Sequence, residues 1–163
     1  MTFESHSQAG QDAWVHSLLG DSGTFLDIGC NHPIIISNTY SLERLGWTGF
    51  LLDNDHYACE LCRQHRKSPV IECDVTKYDW SLLPAKAFDY LSLDVDSANF
   101  VTLPALLKAG ITFRAATIEH NLYSNGPGPR DAMRALLIPL GYRLEQPDVA
   151  HAGCDFEDWY LGP

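Results

Sequence analysis

Five short apolar segments of the chain each end in an acidic residue. They lie at residues 24–27, 50–53, 70–74, 90–94 and 116–119. Short apolar runs are typical of strands buried on both faces, and stretches with helical spacing separate them at intervals of roughly 25 residues. This alternation predicts an α/β fold in which a mostly parallel, twisted sheet is covered by helices on both faces.

The spacing of apolar residues also predicts the helices. One is expected at residues 11–19, ahead of the first strand, and four more at residues 38–45, 57–66, 100–109 and 130–140, the first of these four capped by Ser37 or Asn38. Two late strands are predicted at residues 142–145 and 157–160. Residues 121–129 are dense in glycine and proline, which predicts a loop beside the crevice, either a plain connector or a substrate-selecting lid.

The length and composition fit a single domain over residues 1–163. Of the 163 residues, 45% are apolar and 11% aromatic, which is a globular composition. The formal charge is −10 and the basic residues are scattered, so we expect neither nucleic acid nor a membrane as a partner. No apolar run approaches the roughly 20 residues of a membrane span, and the first residues lack the pattern of a signal peptide. We therefore expect a cytoplasmic protein, and the oligomeric state stays open.

The five cysteines are expected to be reduced thiols. Two of them, Cys59 and Cys62, alternate with His56 and His65 at a spacing of three, which resembles a metal-binding pattern. On a helix, each step of three residues falls about 60° short of a full turn, so the two histidines would face opposite ways. We expect semi-buried thiols and no zinc site there.

The end of the first strand has the residues expected of a ligand crevice. Asp27 and Gly29 stand where, in α/β sheets, a carboxylate takes polar groups of the ligand and a glycine lets the backbone approach it. A nicotinamide dinucleotide would require two further glycines for its pyrophosphate, and this turn has none. S-adenosylmethionine carries a sulfonium and no phosphate, so an acidic crevice suits it better. In this interpretation Asp27 lies near the ammonium group and Asp53 accepts hydrogen bonds from the ribose hydroxyls. Asp74 accepts one from the adenine amino group, beside the backbone of Val75.

Several blocks of the sequence resemble the FkbM-type methyltransferases. They cover residues 7–12, 25–31, 37–43, 45–49, 88–96 and 156–160. The resemblance implies a class I, Rossmann-like domain that transfers a methyl group from S-adenosylmethionine to an oxygen nucleophile. The chain departs from the family where it has Asp96 and Ser97 in place of the usual Glu-Gly, and where Asp53 replaces a frequent glutamate. The complete predicted cofactor site is Gln8, Asp27, Gly29, Cys30, Asn31, Asn38, Asp53, Asn54, Asp74, Val75 and Asp94.

Methyl transfer requires that the acceptor oxygen be held in line with the methyl group and lose its proton. The residues predicted to do this, His120, Asp96 and Glu119, follow the fourth and fifth strands. Two versions stay open. In one, His120 is the general base, a usual role of histidine near neutral pH. In the other, Asp94, Asp96 and Glu119 bind Mg²⁺ or Mn²⁺, which lowers the pKa of a coordinated hydroxyl.

The leading prediction is therefore an O-methyltransferase for a hydroxylated small molecule or sugar. One rival is a module that binds S-adenosylmethionine and transfers nothing. Another is a nicotinamide-dependent sugar-nucleotide enzyme, but such an enzyme commonly has a Tyr-x-x-x-Lys pair, and no lysine of this chain has a tyrosine four residues before it.

Overall fold

The computed structural model describes residues 3–163, and the strands within that range form one seven-stranded sheet. The strand order is β3-β2-β1-β4-β5-β7-β6. The first five strands run parallel, and β7 runs antiparallel to both β5 and β6. The predicted α/β class with a mostly parallel sheet is confirmed. The strands are β1 (Thr24–Ile28), β2 (Thr48–Asp53), β3 (Val70–Glu72), β4 (Ala87–Leu93), β5 (Thr112–Glu119), β6 (Arg143–His151) and β7 (Cys154–Leu161).

Six α-helices lie within the described residues. Three short 3₁₀ segments, at Trp80–Leu82, Asp96–Ala98 and Ile138–Leu140, add single turns. The predicted bounds of the first helix are confirmed, and the next three predicted helices differ by one or two residues at their ends. The helix predicted at residues 130–140 begins and ends three residues earlier, at Pro127–Leu137. The helices are α1 (Gln11–Leu19), α2 (Tyr40–Leu45), α3 (His56–His65), α4 (Asn99–Lys108), α5 (Leu122–Asn125) and α6 (Pro127–Leu137).

The prediction of a loop at residues 121–129 is wrong for most of that segment. Leu122–Asn125 forms α5, and α6 begins at Pro127. Proline is compatible with the first helical position because its missing N–H would have no partner there and its φ is already helical. Gly126, with φ of 70°, separates the two helices. The glycine and prolines therefore mark helix boundaries and not a continuous loop.

Apolar side chains pack on both faces of the sheet. Leu26 and Leu91 belong to a larger cluster with residues of α4 and α6, whereas Phe25 and Tyr90 belong to a smaller cluster with residues of α1, α2 and α3. Successive strand residues point to opposite faces, so neighbours in β1 and β4 fall into different clusters. The prediction of helices on both faces is confirmed.

Helix α3 carries the alternating cysteines and histidines. Cys59 and Cys62 are buried, whereas His56 and His65 are exposed. These four side chains do not form a common metal group among the described residues. No helix in residues 3–163 has both the length and the apolar content of a membrane span.

The order in which the chain adds strands to the sheet reverses between β1 and β4. From β1 the chain extends the sheet through β2 to β3 on one side, and then returns to place β4 and β5 on the other side of β1. In open α/β sheets, ligands bind at such a switch point, outside the carboxyl ends of the strands. The topology therefore predicts a ligand crevice at the residues that follow β1 and β4.

Candidate functional site

A cleft of about 530 Å³ lies at the carboxyl ends of the parallel strands. All eleven residues of the predicted cofactor site line it, and the predicted catalytic residue Asp96 lies on its wall. Their role in binding a cofactor stays a prediction. Sequence reasoning missed eight further lining residues: Gln11, Ile36, Ser37, Asp55, Ala58, Cys73, Val95 and Ala98.

The turn after β1 brings the backbone close to β4. Gly29 has φ of +88°, and a Cβ atom added there would lie 1.7 Å from the carbonyl oxygen of Asp94. The N–H groups of Gly29 and Cys30 both donate to the carbonyl of Leu52, at 2.8 and 3.2 Å. A side chain at position 29 is thus excluded by both conformation and space, which explains the glycine at this position.

Asp53, at the end of β2, organises the neighbouring backbone. Its Oδ2 accepts a hydrogen bond from the N–H of Asn31 at 2.9 Å, and its Oδ1 accepts one from the N–H of Asp55 at 2.9 Å. Each carboxylate oxygen can accept further hydrogen bonds. Asp53 therefore fixes the β1 turn while remaining able to accept from ligand hydroxyls in the cleft.

Asp27 is buried at the base of the cleft. Its side chain is 2% exposed, and it accepts a hydrogen bond from the hydroxyl of Thr39 at 2.5 Å. Burial raises the pKa of Asp27, and the hydrogen bond from Thr39 and the charge of Arg66 act in the opposite direction. Nearby, Asn38 donates to the hydroxyl of Ser92 at 3.1 Å, while its buried Oδ1 has no hydrogen-bond partner in residues 3–163. That oxygen is available to a donor from a ligand.

A buried ion pair holds the segment between β1 and α2. The side chain of Arg66 is 0% exposed, and its Nε lies 3.0 Å from Oε2 of Glu43. The same guanidinium donates to the carbonyl of Pro33 and to the hydroxyls of Ser37 and Thr39. Because Thr39 contacts Asp27, Arg66 supports the base of the cleft. The sequence holds no signal for this role.

Two carboxyl groups meet on the β4 and β5 side of the cleft. Asp94 and Glu119 follow the paired residues Leu93 of β4 and Ile118 of β5, and each perturbs the pKa of the other. Burial raises the pKa of both groups, and the repulsion between the two charges raises that of Glu119 further, to about 9. The Oε2 atom of Glu119 is buried and has no hydrogen-bond partner among the described residues.

The predicted metal set of Asp94, Asp96 and Glu119 is not supported. Within the described residues, the only three acidic or imidazole groups that lie within reach of a common ion are His120, Asp148 and Asp158. The guanidinium of Arg134 already serves that cluster as its cation, with nitrogen to oxygen distances of 2.8 Å to Asp148 and 2.7 Å to Asp158.

His120 belongs to that ion-pair network. Its side chain is 2% exposed, its Nδ1 accepts from the N–H of Leu122 at 3.2 Å, and its Nε2 lies 3.4 Å from Oδ1 of Asp158. Burial raises the pKa of Asp158, but hydrogen bonds to its carboxylate, chiefly from the guanidinium of Arg134, hold that pKa well below its usual range. His120 is not among the residues that line the cleft. The geometry is that of a structural histidine, which weighs against the version in which it is the general base.

A second cavity, of about 240 Å³, adjoins the cleft at Gln8. It lies between the end of β5 and the β6–β7 hairpin. Glu119 is on its wall and Asp94 is on the wall of the cleft, so these two neighbouring carboxyl groups lie between the two cavities. The residues that line it are Gln8, Glu119, Asn121, Tyr123, His151, Cys154 and Phe156.

Comparison with solved structures shows that the fold is that of the class I, S-adenosylmethionine-dependent methyltransferases. A TehB-like methyltransferase from Corynebacterium glutamicum aligns with a TM-score of 0.67 at 15% identity, covering 94% of this chain and 86% of that one. An O-methyltransferase from Bacillus cereus, in complex with S-adenosylhomocysteine (SAH), aligns with a TM-score of 0.69 at 14% identity, covering 99% and 84%. The magnesium protoporphyrin IX methyltransferase from Synechocystis PCC 6803, with bound S-adenosylmethionine, aligns with a TM-score of 0.66 at 12% identity, covering 93% and 76%.

These identities establish the fold alone. No protein-family model matches the sequence, and no curated protein matches it. The resemblance to the FkbM-type family therefore stays a prediction.

Proposed function

We propose that this protein is an S-adenosylmethionine-dependent methyltransferase that methylates a hydroxyl group of a small molecule. The observation that carries the proposal is the acid-lined cleft at the switch point of a methyltransferase fold, with Asp27, Asp53 and Asp74 on its wall. Two structures with this fold hold S-adenosylmethionine or SAH. The FkbM-type resemblance supports an oxygen atom as the methyl acceptor.

The residues of the cleft fit S-adenosylmethionine chemically. Asp53 would accept from the ribose hydroxyls, and Asp74 with Val75 would take the adenine edge. The unpartnered Oδ1 of Asn38 and the carboxyl of Asp27 would face the methionine ammonium group. The ligand carries positive charge, and the excess of carboxylates favours it over an anionic dinucleotide. When bound, S-adenosylmethionine supplies an electrophilic methyl group.

The neighbouring carboxyl groups of Asp94 and Glu119 are the proposed proton acceptor. The carboxylate of this pair would take the proton that the acceptor hydroxyl loses, while S-adenosylmethionine would supply the methyl group and leave as SAH. Asp96 lies at the rim of the cleft and would orient the acceptor. His120 would have to leave its contact with Asp158 to take this role. The proposed mechanism assigns no step to a metal ion.

Isothermal titration calorimetry with S-adenosylmethionine and SAH tests the proposal. The wild type should bind both, and Asp53→Ala should bind each about 10 to 100 times more weakly, because a hydrogen bond to a charged group contributes about 1.5–3 kcal/mol. The control is Asp131→Ala, which removes an exposed carboxylate of α6 outside the cleft.

The outcomes separate the alternatives. No binding by wild-type protein with a folded circular dichroism spectrum would refute the proposal. Binding of NADH in a parallel titration, without binding of SAH, would favour the nicotinamide-dependent alternative. Binding of S-adenosylmethionine with no transfer to any hydroxylated acceptor would favour a binding module.

A further inference from the structure

We propose that the second cavity is the acceptor site and that it takes an uncharged, hydroxylated compound one ring in size. This inference rests on the proposed function and adds to it the place and the chemical class of the acceptor. Three features of the cavity carry it: an unpartnered carboxyl oxygen, the charge of its wall, and its size.

The unpartnered oxygen belongs to Glu119. The side chain is 9% exposed, and its Oε2 has no hydrogen-bond partner among the described residues. A buried polar atom without a partner costs about 1–3 kcal/mol. A ligand hydroxyl in the cavity would remove that cost by donating to Oε2. Asp94, which lines the cofactor cleft, lies beside Glu119 because Leu93 pairs with Ile118, so a hydroxyl bound to Glu119 in this cavity would lie next to the cleft proposed for the methyl donor.

The wall of the cavity disfavours an anionic ligand. None of the seven residues that line it, all within the described part of the chain, is a lysine or an arginine. The arginines of the neighbouring helix α6, Arg130 and Arg134, are already paired with Asp148, and Arg134 also with Asp158. Among the seven lining residues only His151 can carry positive charge, and it is exposed. A phosphate or carboxylate on the acceptor would therefore lose hydration for at most a solvent-screened counter-charge, which is unfavourable.

The size and shape of the cavity suit one ring. A cavity of about 150 Å³ holds a benzene molecule, so about 240 Å³ accommodates one ring with hydroxyl substituents. The wall offers the aromatic rings of Tyr123 and Phe156 for stacking and the amide of Asn121 for hydrogen bonds. Tyr123 is 61% exposed, so its ring can cover a ligand at the mouth.

Saturation-transfer NMR on the SAH-loaded protein tests the inference. The uncharged probes are myo-inositol, methyl glucoside and catechol. Their anionic counterparts are myo-inositol 1-phosphate, glucose 6-phosphate and 3,4-dihydroxybenzoate. At least one uncharged probe should bind, at least tenfold more tightly than its counterpart. Cys154→Trp, which fills the cavity, should weaken that binding at least tenfold, whereas Asp155→Trp, at an exposed position of the same hairpin, should not.

SAH binding by calorimetry on the same samples separates the two proposals. If the wild type fails to bind SAH, the proposed function fails. If SAH binds equally to the wild type and Cys154→Trp, the proposed function stands and the probes decide the acceptor site. The inference is overturned if no uncharged probe binds, if the anionic counterparts bind as tightly, or if Cys154→Trp leaves probe binding unchanged.

Discussion

Gly29→Ala should destabilise the protein far more than Gly110→Ala, although both glycines have φ in the left-handed region, at +88° and +77°. In either variant a side chain on a left-handed residue costs ~1–2 kcal/mol. The methyl group added at position 110 meets no atom within 4 Å, whereas the one added at position 29 would lie 1.7 Å from the carbonyl oxygen of Asp94. The ends of β1 and β4 would then have to move apart.

The contacts at this junction set the size of the effect. The N–H of Asp94 donates to the carbonyl of Ile28 at 2.9 Å, and the N–H of Gly29 donates to that of Leu52 at 2.8 Å. Loss of these two hydrogen bonds costs ~1 kcal/mol each, and overpacking adds ~1–3 kcal/mol. With the backbone cost included, Gly29→Ala should lose about 4–7 kcal/mol, against a total stability of about 5–15 kcal/mol for a typical domain.

Urea unfolding followed by circular dichroism measures both variants by linear extrapolation. Gly110→Ala should stay within about 2 kcal/mol of the wild type. If the two variants agree within about 0.5 kcal/mol, the turn after β1 relaxes without strain, and the close approach to β4 does not explain the glycine.

Two further predictions concern buried charges. Arg66→Met leaves the carboxylate of Glu43 without its partner and should cost about 3–5 kcal/mol in urea unfolding. Arg63→Met, at an exposed arginine of α3, should cost less than about 1 kcal/mol. Equal losses of stability in the two variants would contradict the role of Arg66. Burial raises the pKa of Glu157 from 4.5 to about 8. Between these pH values the folded chain keeps a proton that the unfolded chain has released, so the free energy of unfolding should fall as pH rises, by up to about 1.4 kcal/mol per pH unit. Glu157→Gln should reduce this slope in thermal unfolding between pH 5 and 8, and an unchanged slope would assign it to other groups.

The acid at the end of each predicted strand could be found from sequence because its cause is local. Strands covered on both faces read as continuous apolar runs, and polar residues return where the strand leaves the core. Parallel strands bring these ends to one edge, so Asp27, Asp53 and Asp94 meet in one cleft. Even here the pattern misplaced several boundaries. β1 continues through the buried Asp27 to Ile28, whereas β3 ends at Glu72 and β4 at Leu93, before the acids predicted to end them.

The support beneath the cleft could not be found in this way, because it depends on contacts between distant segments. Arg63 and Arg66 lie on or beside the end of the same helix, yet only Arg66 is buried, against Glu43. His120 directly follows the acid of β5, which made it a candidate base. Its partner Asp158 lies 38 positions further along the chain, and only the antiparallel pairing of β7 with β5 brings the two together.

That same pairing explains why carboxyl groups accumulate between the two cavities. Leu93 of β4 pairs with Ile118 of β5, and Glu119 pairs with Glu157 of β7, so Asp94, Glu119 and Glu157 follow one another across the sheet. Burial raises the pKa of all three groups. Amide side chains of the same shape would avoid the repulsion and the larger cost of burying a charge. Carboxyl groups with perturbed pKa values are typical of functional sites, and of these three Asp94 and Glu119 line the two cavities. A structural role alone would not require three neighbouring carboxyl groups. The pair of Asp94 and Glu119 is therefore a stronger candidate for proton transfer than the enclosed imidazole of His120, which lines neither cavity.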